Sequence, residues 1–233
     1  MSTIEQNLQA VQRNIDAAAL EAGRAPQSVQ LLAVSKTFGS EAVLEAMRAG
    51  QTMFGENYLQ ESLDKISAVA AAAPQTALQW HFIGPIQSNK TRPIAEHFDW
   101  VHTVEREKIA QRLSQQRPAG MAPLNVCLQV NISGEASKSG ATPGELRELA
   151  QQVAKLPNLR LRGLMALPEP AAEFEQQRIA FRALRLLYEQ LQADGLALDT
   201  LSMGMSGDMR AAIVEGATMV RVGSAIFGSR KPI

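Results

Sequence analysis

Cysteine is nearly absent from this chain of 233 residues: Cys127 is its sole example. Neither an internal disulfide nor a cysteine-based zinc cluster can therefore form. Aromatic residues are scarce, at 5%, and the apolar content leans on Ala, Leu, Val, Ile and Met instead. An excess of either charge is also missing, with 23 basic residues against 23 acidic ones and no run of like charges. That balance argues against a dedicated nucleic-acid binder, which carries a basic excess. No apolar run approaches the roughly 20 residues that cross a bilayer. Met1-Ser2-Thr3-Ile4-Glu5 lacks the basic-then-apolar pattern of a signal peptide. The expectation is a soluble, cytoplasmic protein with no membrane and no nucleic-acid partner.

What remains is a hydrophobic share of 45%, ample for a buried core and unlike a disordered chain. At roughly 150 residues per domain, the length leaves one large domain or two small ones open. The chain opens with an amphipathic helix: Ile4, Leu8, Val11 and Ile15 share a face, Ser2 and Glu5 have capping-box spacing, and Gly23 is a natural stop. After it a short apolar run followed by a helical pattern recurs. Strands are predicted at 31–35, 52–55, 79–83, 100–103, 124–132, 160–165, 198–203 and 218–222. Helices are predicted between them at 41–49, 57–72, 90–97, 105–116, 145–155, 173–193 and 208–215. Thr142-Pro143-Gly144-Glu145 reads as a helix start, with a capping threonine, Pro at the first helical position and Glu at the third.

Strands alternating with helices mean parallel β/α units. An open doubly wound sheet and a closed barrel compete. The strand count favours the barrel, whose usual size is about 250 residues. A dinucleotide fold would place G-x-G-x-x-G after its first strand, where this chain has Ser35-Lys36-Thr37. No linker or composition shift marks a second domain. The predicted fold is α/β: a single (β/α)8 TIM-type barrel spanning residues 1–233, with an additional N-terminal helix.

In such a barrel, residues at the C-terminal ends of the strands face the active site. Polar residues there include Lys36, Asn57, His81, Asn131, Ser202, Ser206, Arg221 and Ser224, while the sixth strand ends at Met165. Of seven lysines, Lys65, Lys108 and Lys155 fall in helical patterns, Lys90 near a helix start and Lys231 in the tail. All five read as solvated surface. Lys36 differs, because it directly follows Leu31-Leu32-Ala33-Val34-Ser35 at the barrel mouth. A lysine there is either a desolvated nucleophile for a carbonyl or a strand-end side chain that snorkels to solvent. Gly204-Met205-Ser206 and Gly223-Ser224 follow the seventh and eighth strands, where barrels often hold a phosphate. Their glycines let backbone N–H groups face an anion and their serines add hydroxyl donors.

A nucleophilic lysine beside a phosphate cradle fits pyridoxal phosphate, and equally an aldolase acting on a sugar phosphate. Arg221, placed inward at the end of the eighth strand, can pair with phosphate or with a pyridine nitrogen. On that nitrogen an acidic residue would make a strong electron sink, whereas an arginine makes a weak one. Other candidates are plainer. His97 and His102 flank the fourth strand as structural or exposed residues, and His81 is pocket lining or core. Glu56 serves as an acidic helix start, and Cys127 as a small core residue.

Six segments together resemble the pyridoxal phosphate homeostasis protein family, which is similar to the N-terminal barrel of alanine racemase. They are Leu32-Ala33-Val34-Ser35-Lys36-Thr37, Phe54-Gly55-Glu56-Asn57-Tyr58, Trp80-His81-Phe82-Ile83-Gly84-Pro85 with the residues through Lys90, Leu161-Arg162-Gly163-Leu164-Met165, Leu201-Ser202-Met203-Gly204-Met205-Ser206, and Val220-Arg221-Val222-Gly223-Ser224 with the residues through Gly228. They span essentially the whole chain in order. The resemblance implies that Lys36 holds pyridoxal 5'-phosphate as a Schiff base, that Ser206, Gly223 and Ser224 hold its phosphate, and that Arg221 faces the pyridine nitrogen. It also implies that Asn57, His81, Met165 and Ser202 line the pocket, with Lys138 close to its mouth. Two departures, Phe38-Gly39-Ser40 where many relatives have a proline and Gly207 after Gly-Met-Ser, remove no implied ligand.

The function so implied is intracellular cofactor homeostasis without robust catalysis, with pyridoxal 5'-phosphate and the apoenzymes that use it as partners; an open barrel mouth and the lack of a sticky stripe set the expectation of a monomer. The alternative is an amino-acid racemase of the alanine racemase type. That reaction needs a base on each face of the substrate, and in alanine racemase the second is a tyrosine from a partner's C-terminal domain. This chain has two tyrosines, Tyr58 and Tyr188. Tyr188 lies in a helical pattern and nothing marks Tyr58 as that base.

Overall fold

Each predicted strand forms, and each pairs in parallel with its neighbours. The computed structural model describes residues 2–134 and 139–229. Among them run β1 (Gln30–Val34), β2 (Met53–Glu56), β3 (Gln79–Phe82), β4 (Trp100–Val104), β5 (Leu124–Gln129), β6 (Leu159–Met165), β7 (Thr200–Ser202) and β8 (Met219–Val222). They close into a barrel in sequence order, sealed where Leu32 of β1 stands opposite Arg221 of β8. Helix α1 (Thr3–Glu21) precedes the barrel. The strands are then followed in turn by α2 (Ser40–Arg48), α3 (Leu59–Ala72), α4 (Thr91–His97), α5 (Glu107–Gln116), α6 (Pro143–Val153), α7 (Phe174–Ala193), α8 (Met209–Val214) and α9 (Ser224–Phe227). This is the (β/α)8 barrel with an extra N-terminal helix. No helix among the described residues is long and apolar enough to cross a membrane.

The elements form where local chemistry favours them. Ser2 Oγ accepts the Glu5 N–H while the Glu5 carboxylate accepts the Ser2 N–H, a reciprocal cap that starts α1. Thr142 and Glu145 repeat that cap on α6, with Pro143 at the first helical position. Leu8, Val11 and Ile15 are buried along one stripe of α1, which packs on α8, α9 and α2. The Asn7 amide donates to the Ile226 carbonyl at 2.9 Å, tying α1 to the short helix after β8.

Two strands are shorter than their apolar runs by three residues each. β5 stops at Gln129 because Asn131 folds back on a turn, its Oδ1 accepting the Gly134 N–H. β7 keeps three residues, since Leu198 is held outside the ladder by the Tyr188 hydroxyl and the Gln192 amide, both donating to its carbonyl. Helix α9 and a 3-10 turn at Ser88–Lys90 are too short for a hydrophobic period to reveal.

Strand alternation sends every second side chain inward. Trp100, Cys127 and Met165 form a small inner apolar cluster apart from the main core between strands and helices. Burial pushes the Cys127 thiol up to about 12. A thiol reagent is therefore expected to leave the native protein unlabelled and to take up one equivalent only after unfolding. Labelling at the rate of a free thiol would contradict this packing.

Candidate functional site

A cavity of about 740 Å³ opens at the C-terminal mouth of the barrel. The strand ends supply its walls: Lys36 follows β1, Asn57 follows β2, Met165 ends β6, and Arg221 lies on β8. Ser206, from the loop after β7, and Gly223 and Ser224, after β8, complete one side. Seven of the residues singled out from sequence thus meet around one space. Thr103, Gln129 and Leu167 also line it, and sequence reasoning did not name them. Lys138 lies outside the described residues.

His81 and Ser202 are not in the wall. Both are fully buried beneath it, inside the barrel, and the expectation that they line the pocket is corrected accordingly. They belong to a polar chain that also includes His102. Arg221 Nη1 donates to Ser202 Oγ at 2.8 Å, Ser202 Oγ is 2.8 Å from His102 Nδ1, and His102 Nε2 is 2.9 Å from His81 Nδ1. A guanidinium only donates, so Ser202 accepts from Arg221 and has one proton to give. Assigned on that logic, it goes to His102 Nδ1, which puts the His102 proton on Nε2, toward His81. His81 Nε2 is buried with no partner, and its ring stacks on Trp100 at 5.2 Å.

Burial sets the charge of this floor. It holds His81 down to about 3. Burial, then His81 and the Arg221 cation, hold His102 well below its ordinary value. Both imidazoles are neutral at neutral pH. Burial also lowers Arg221, to about 10, which still leaves it a cation. A second guanidinium nitrogen donates to the Ala166 carbonyl at 3.0 Å. The floor therefore presents one fixed positive charge and no acidic proton. His97, by contrast, is exposed on α4.

The anion side depends on glycine. Gly204 has φ +95°, and a Cβ there would sit 2.6 Å from Ala212 Cβ, so only glycine lets the loop after β7 pack on α8. Asp208 then accepts the Met205 N–H at 2.6 Å and fixes the turn that carries Ser206. In α9 the Ile226 and Phe227 N–H groups are spent on the Gly223 carbonyl. The preceding N–H groups, of Ser224 and Ala225, have no intrahelical acceptor by helix geometry. Asn57 Oδ1 is buried without a partner, an acceptor left in the cavity wall. A lysine, a buried cation, an anion cradle and an unmet acceptor together suit a phosphorylated pyridine aldehyde.

Two expectations about charge fail beside Lys36. Lys65 is not solvated: only 3% of its side chain is exposed, and its ammonium donates to Glu56 at 2.6 Å, Glu61 at 2.9 Å and the Ser35 carbonyl at 2.8 Å. Glu56 is no helix start either. It is fully buried at the end of β2 and also accepts the Ser35 hydroxyl at 2.5 Å. Burial raises its carboxyl and the Lys65 cation opposes that rise. The signal was available, because Lys65 shares the buried stripe of α3 with Ser62 and Val69.

A second cavity, of about 670 Å³, lies between the start of α5 and α6. Glu105, Glu107, Glu145 and Glu148 line it together with Arg106, a wall of net negative charge. Among the described residues no group of His, Cys, Asp and Glu could hold a metal ion.

Comparison with known proteins follows the same outline. Residues 6–231 match the family model for the alanine racemase N-terminal domain. Over 230 residues the chain is 59% identical to the pyridoxal phosphate homeostasis protein of Vibrio cholerae, covering 99% of this chain and 98% of that one. It is 63% identical to the protein of that name from Pseudomonas aeruginosa, covering 99% and 97%. PipY of Synechococcus elongatus, solved with PLP bound, is 35% identical, with a TM-score of 0.82 over 97% of this chain and 100% of that one. Alanine racemase from Corynebacterium glutamicum shares the fold, with a TM-score of 0.74 at 17% identity over 97% of this chain and 61% of the racemase.

Proposed function

We propose, from the premise that this chain belongs to the pyridoxal phosphate homeostasis protein family and is built on the alanine racemase N-terminal domain, that it holds pyridoxal 5'-phosphate on Lys36. One observation carries the reading: Lys36, Arg221 and the Ser206–Gly223–Ser224 cradle line a single cavity. Lys36 would hold the group through its side-chain amine, a nucleophile toward an aldehyde. Ser206, Gly223 and Ser224 take the phosphate, Asn57 and Met165 the ring, and Arg221 the pyridine nitrogen.

The role is homeostasis without robust catalysis. When bound, the cofactor supplies an electron sink, and its strength depends on protonation of the ring nitrogen. Arg221 opposes that protonation, and the neutral His102 and His81 behind it offer no acid. Neither tyrosine is placed as a second base. Tyr58 is exposed, and the Tyr188 hydroxyl is spent on the Leu198 carbonyl at 2.9 Å. The protein works as a single-domain monomer in the cytoplasm, exchanging cofactor with apoenzymes; Lys138 stands near the mouth in this reading.

Protein incubated with PLP is expected to turn yellow, and borohydride reduction with peptide mapping is expected to place the label on Lys36. The Lys36→Ala variant stays colourless. Label on another lysine overturns the assignment. For the racemase alternative, rapid conversion of L-amino acids to their D-enantiomers by the loaded protein would overturn the non-catalytic reading.

A further inference from the structure

The residue after Lys36 holds an unusual backbone conformation. Thr37 has φ +67°, the left-handed region that a β-branched residue seldom enters. Its own hydroxyl is buried with no partner, so the side chain does not explain the conformation. The backbone does: the Phe38 N–H closes a turn on the Ser35 carbonyl at 3.1 Å, with Thr37 as its third residue, and the Thr37 N–H donates to Glu61 Oε1 at 2.7 Å. On the other side of Lys36, the Ser35 carbonyl accepts from Lys65 and the Ser35 hydroxyl donates to Glu56. Lys65 joins the two carboxylates. Both residues flanking Lys36 are thus tied to one buried ion cluster from β2 and α3.

We infer that Glu61, backed by Lys65 and Glu56, is a positioning residue that holds Thr37 in its left-handed turn and so presents the Lys36 amine to the cofactor aldehyde. This rests on the reading that Lys36 carries the cofactor. Strained backbone persists only where surrounding structure over-determines it, and it gathers at functional sites. Without the carboxylate, Thr37 relaxes toward negative φ and takes Lys36 with it.

Glu61 is the residue to test, because 34% of its side chain is exposed. Removing Lys65 would instead leave Glu56 buried without a counter-charge and threaten folding. Glu61→Ala is expected to bind PLP about tenfold more weakly and to show a smaller Schiff-base absorbance. Glu61→Gln, which keeps an acceptor for the Thr37 N–H, is expected to stay within about threefold of wild type. The decisive variant adds Thr37→Gly to Glu61→Ala. Glycine adopts positive φ without penalty, so the double variant regains most of the lost affinity, while any drop in melting temperature from Glu61→Ala persists. Equal binding by Glu61→Ala, or a loss that Thr37→Gly does not repair, overturns the inference and leaves the Lys36 assignment standing. A wild-type protein that forms no Schiff base sinks both.

Discussion

Lowering the pH from 7.5 to 5 is expected to cost the cofactor-free protein the folding stability that two buried neutral histidines confer, about 2 kcal/mol from His81 alone. The cause is the neutral floor under the cavity. His81, ordinarily near 6.5, is held to about 3 by burial, and His102 is held well below 6.5 by burial, His81 and Arg221. In the unfolded chain both take up protons as the pH falls through 6.5, while the folded protein does not. Each then favours unfolding at pH 5 relative to pH 7.5, and by more until its folded pKa is reached. Glu56, Asp99 and Asp208 act in the opposite sense. Burial raises their carboxyls, so the folded state protonates first and gains stability as the pH falls. His102→Gln separates the contributions, since an amide can still bridge Ser202 and His81 but does not titrate. Urea midpoints at the two pH values should show a shallower slope in this variant than in wild type. Equal slopes would mean that the floor histidines charge without unfolding the barrel.

How much of this floor the sequence reveals depends on what alternation can say. The period of two places His81, Ser202 and Arg221 inward, and it names the correct strand ends for Lys36, Asn57 and Ser224. It carries no depth, so His81 and Ser202 read as pocket wall although they lie below it. His102, with the same parity as Trp100, is the bridging member of the chain, yet no motif marks it. The barrel itself was legible because every apolar run but the last is followed by a helical pattern, and its helix caps, Ser2 and Thr142, are local signals. The ion cluster was less so. Glu56, Glu61 and Lys65 come from a strand end and a helix, and their meeting beside Ser35 is a product of closure. The left-handed Thr37 has no sequence signature, because threonine is a poor residue for that conformation.

Gly163→Ala is expected to abolish stable closure of the barrel and, with it, cofactor retention. Gly163 on β6 stands opposite Thr200 on β7. A Cβ at position 163 would lie 1.7 Å from the Thr200 carbonyl oxygen and 2.7 Å from its carbon. No rotamer relieves a clash with backbone, so β7 has to move. It is the barrel's shortest stave, three residues long and in ladder register with β8 at one pair, Ser202 with Met219. Displacing it carries away Ser202, which links Arg221 to His102. Overpacking a core ordinarily costs about 1–3 kcal/mol; here broken ladder hydrogen bonds and unpaired buried polar groups add to that, for about 4 kcal/mol or more. Gly144 supplies the control. It lies in the first turn of α6 with nothing within 4 Å of an added Cβ, and Gly144→Ala should stabilise by up to about 1 kcal/mol. Urea denaturation of both variants, with PLP absorbance on the folded fraction, measures the contrast. A Gly163→Ala protein as stable as wild type and still yellow would show that β7 is not needed to hold Arg221 in place.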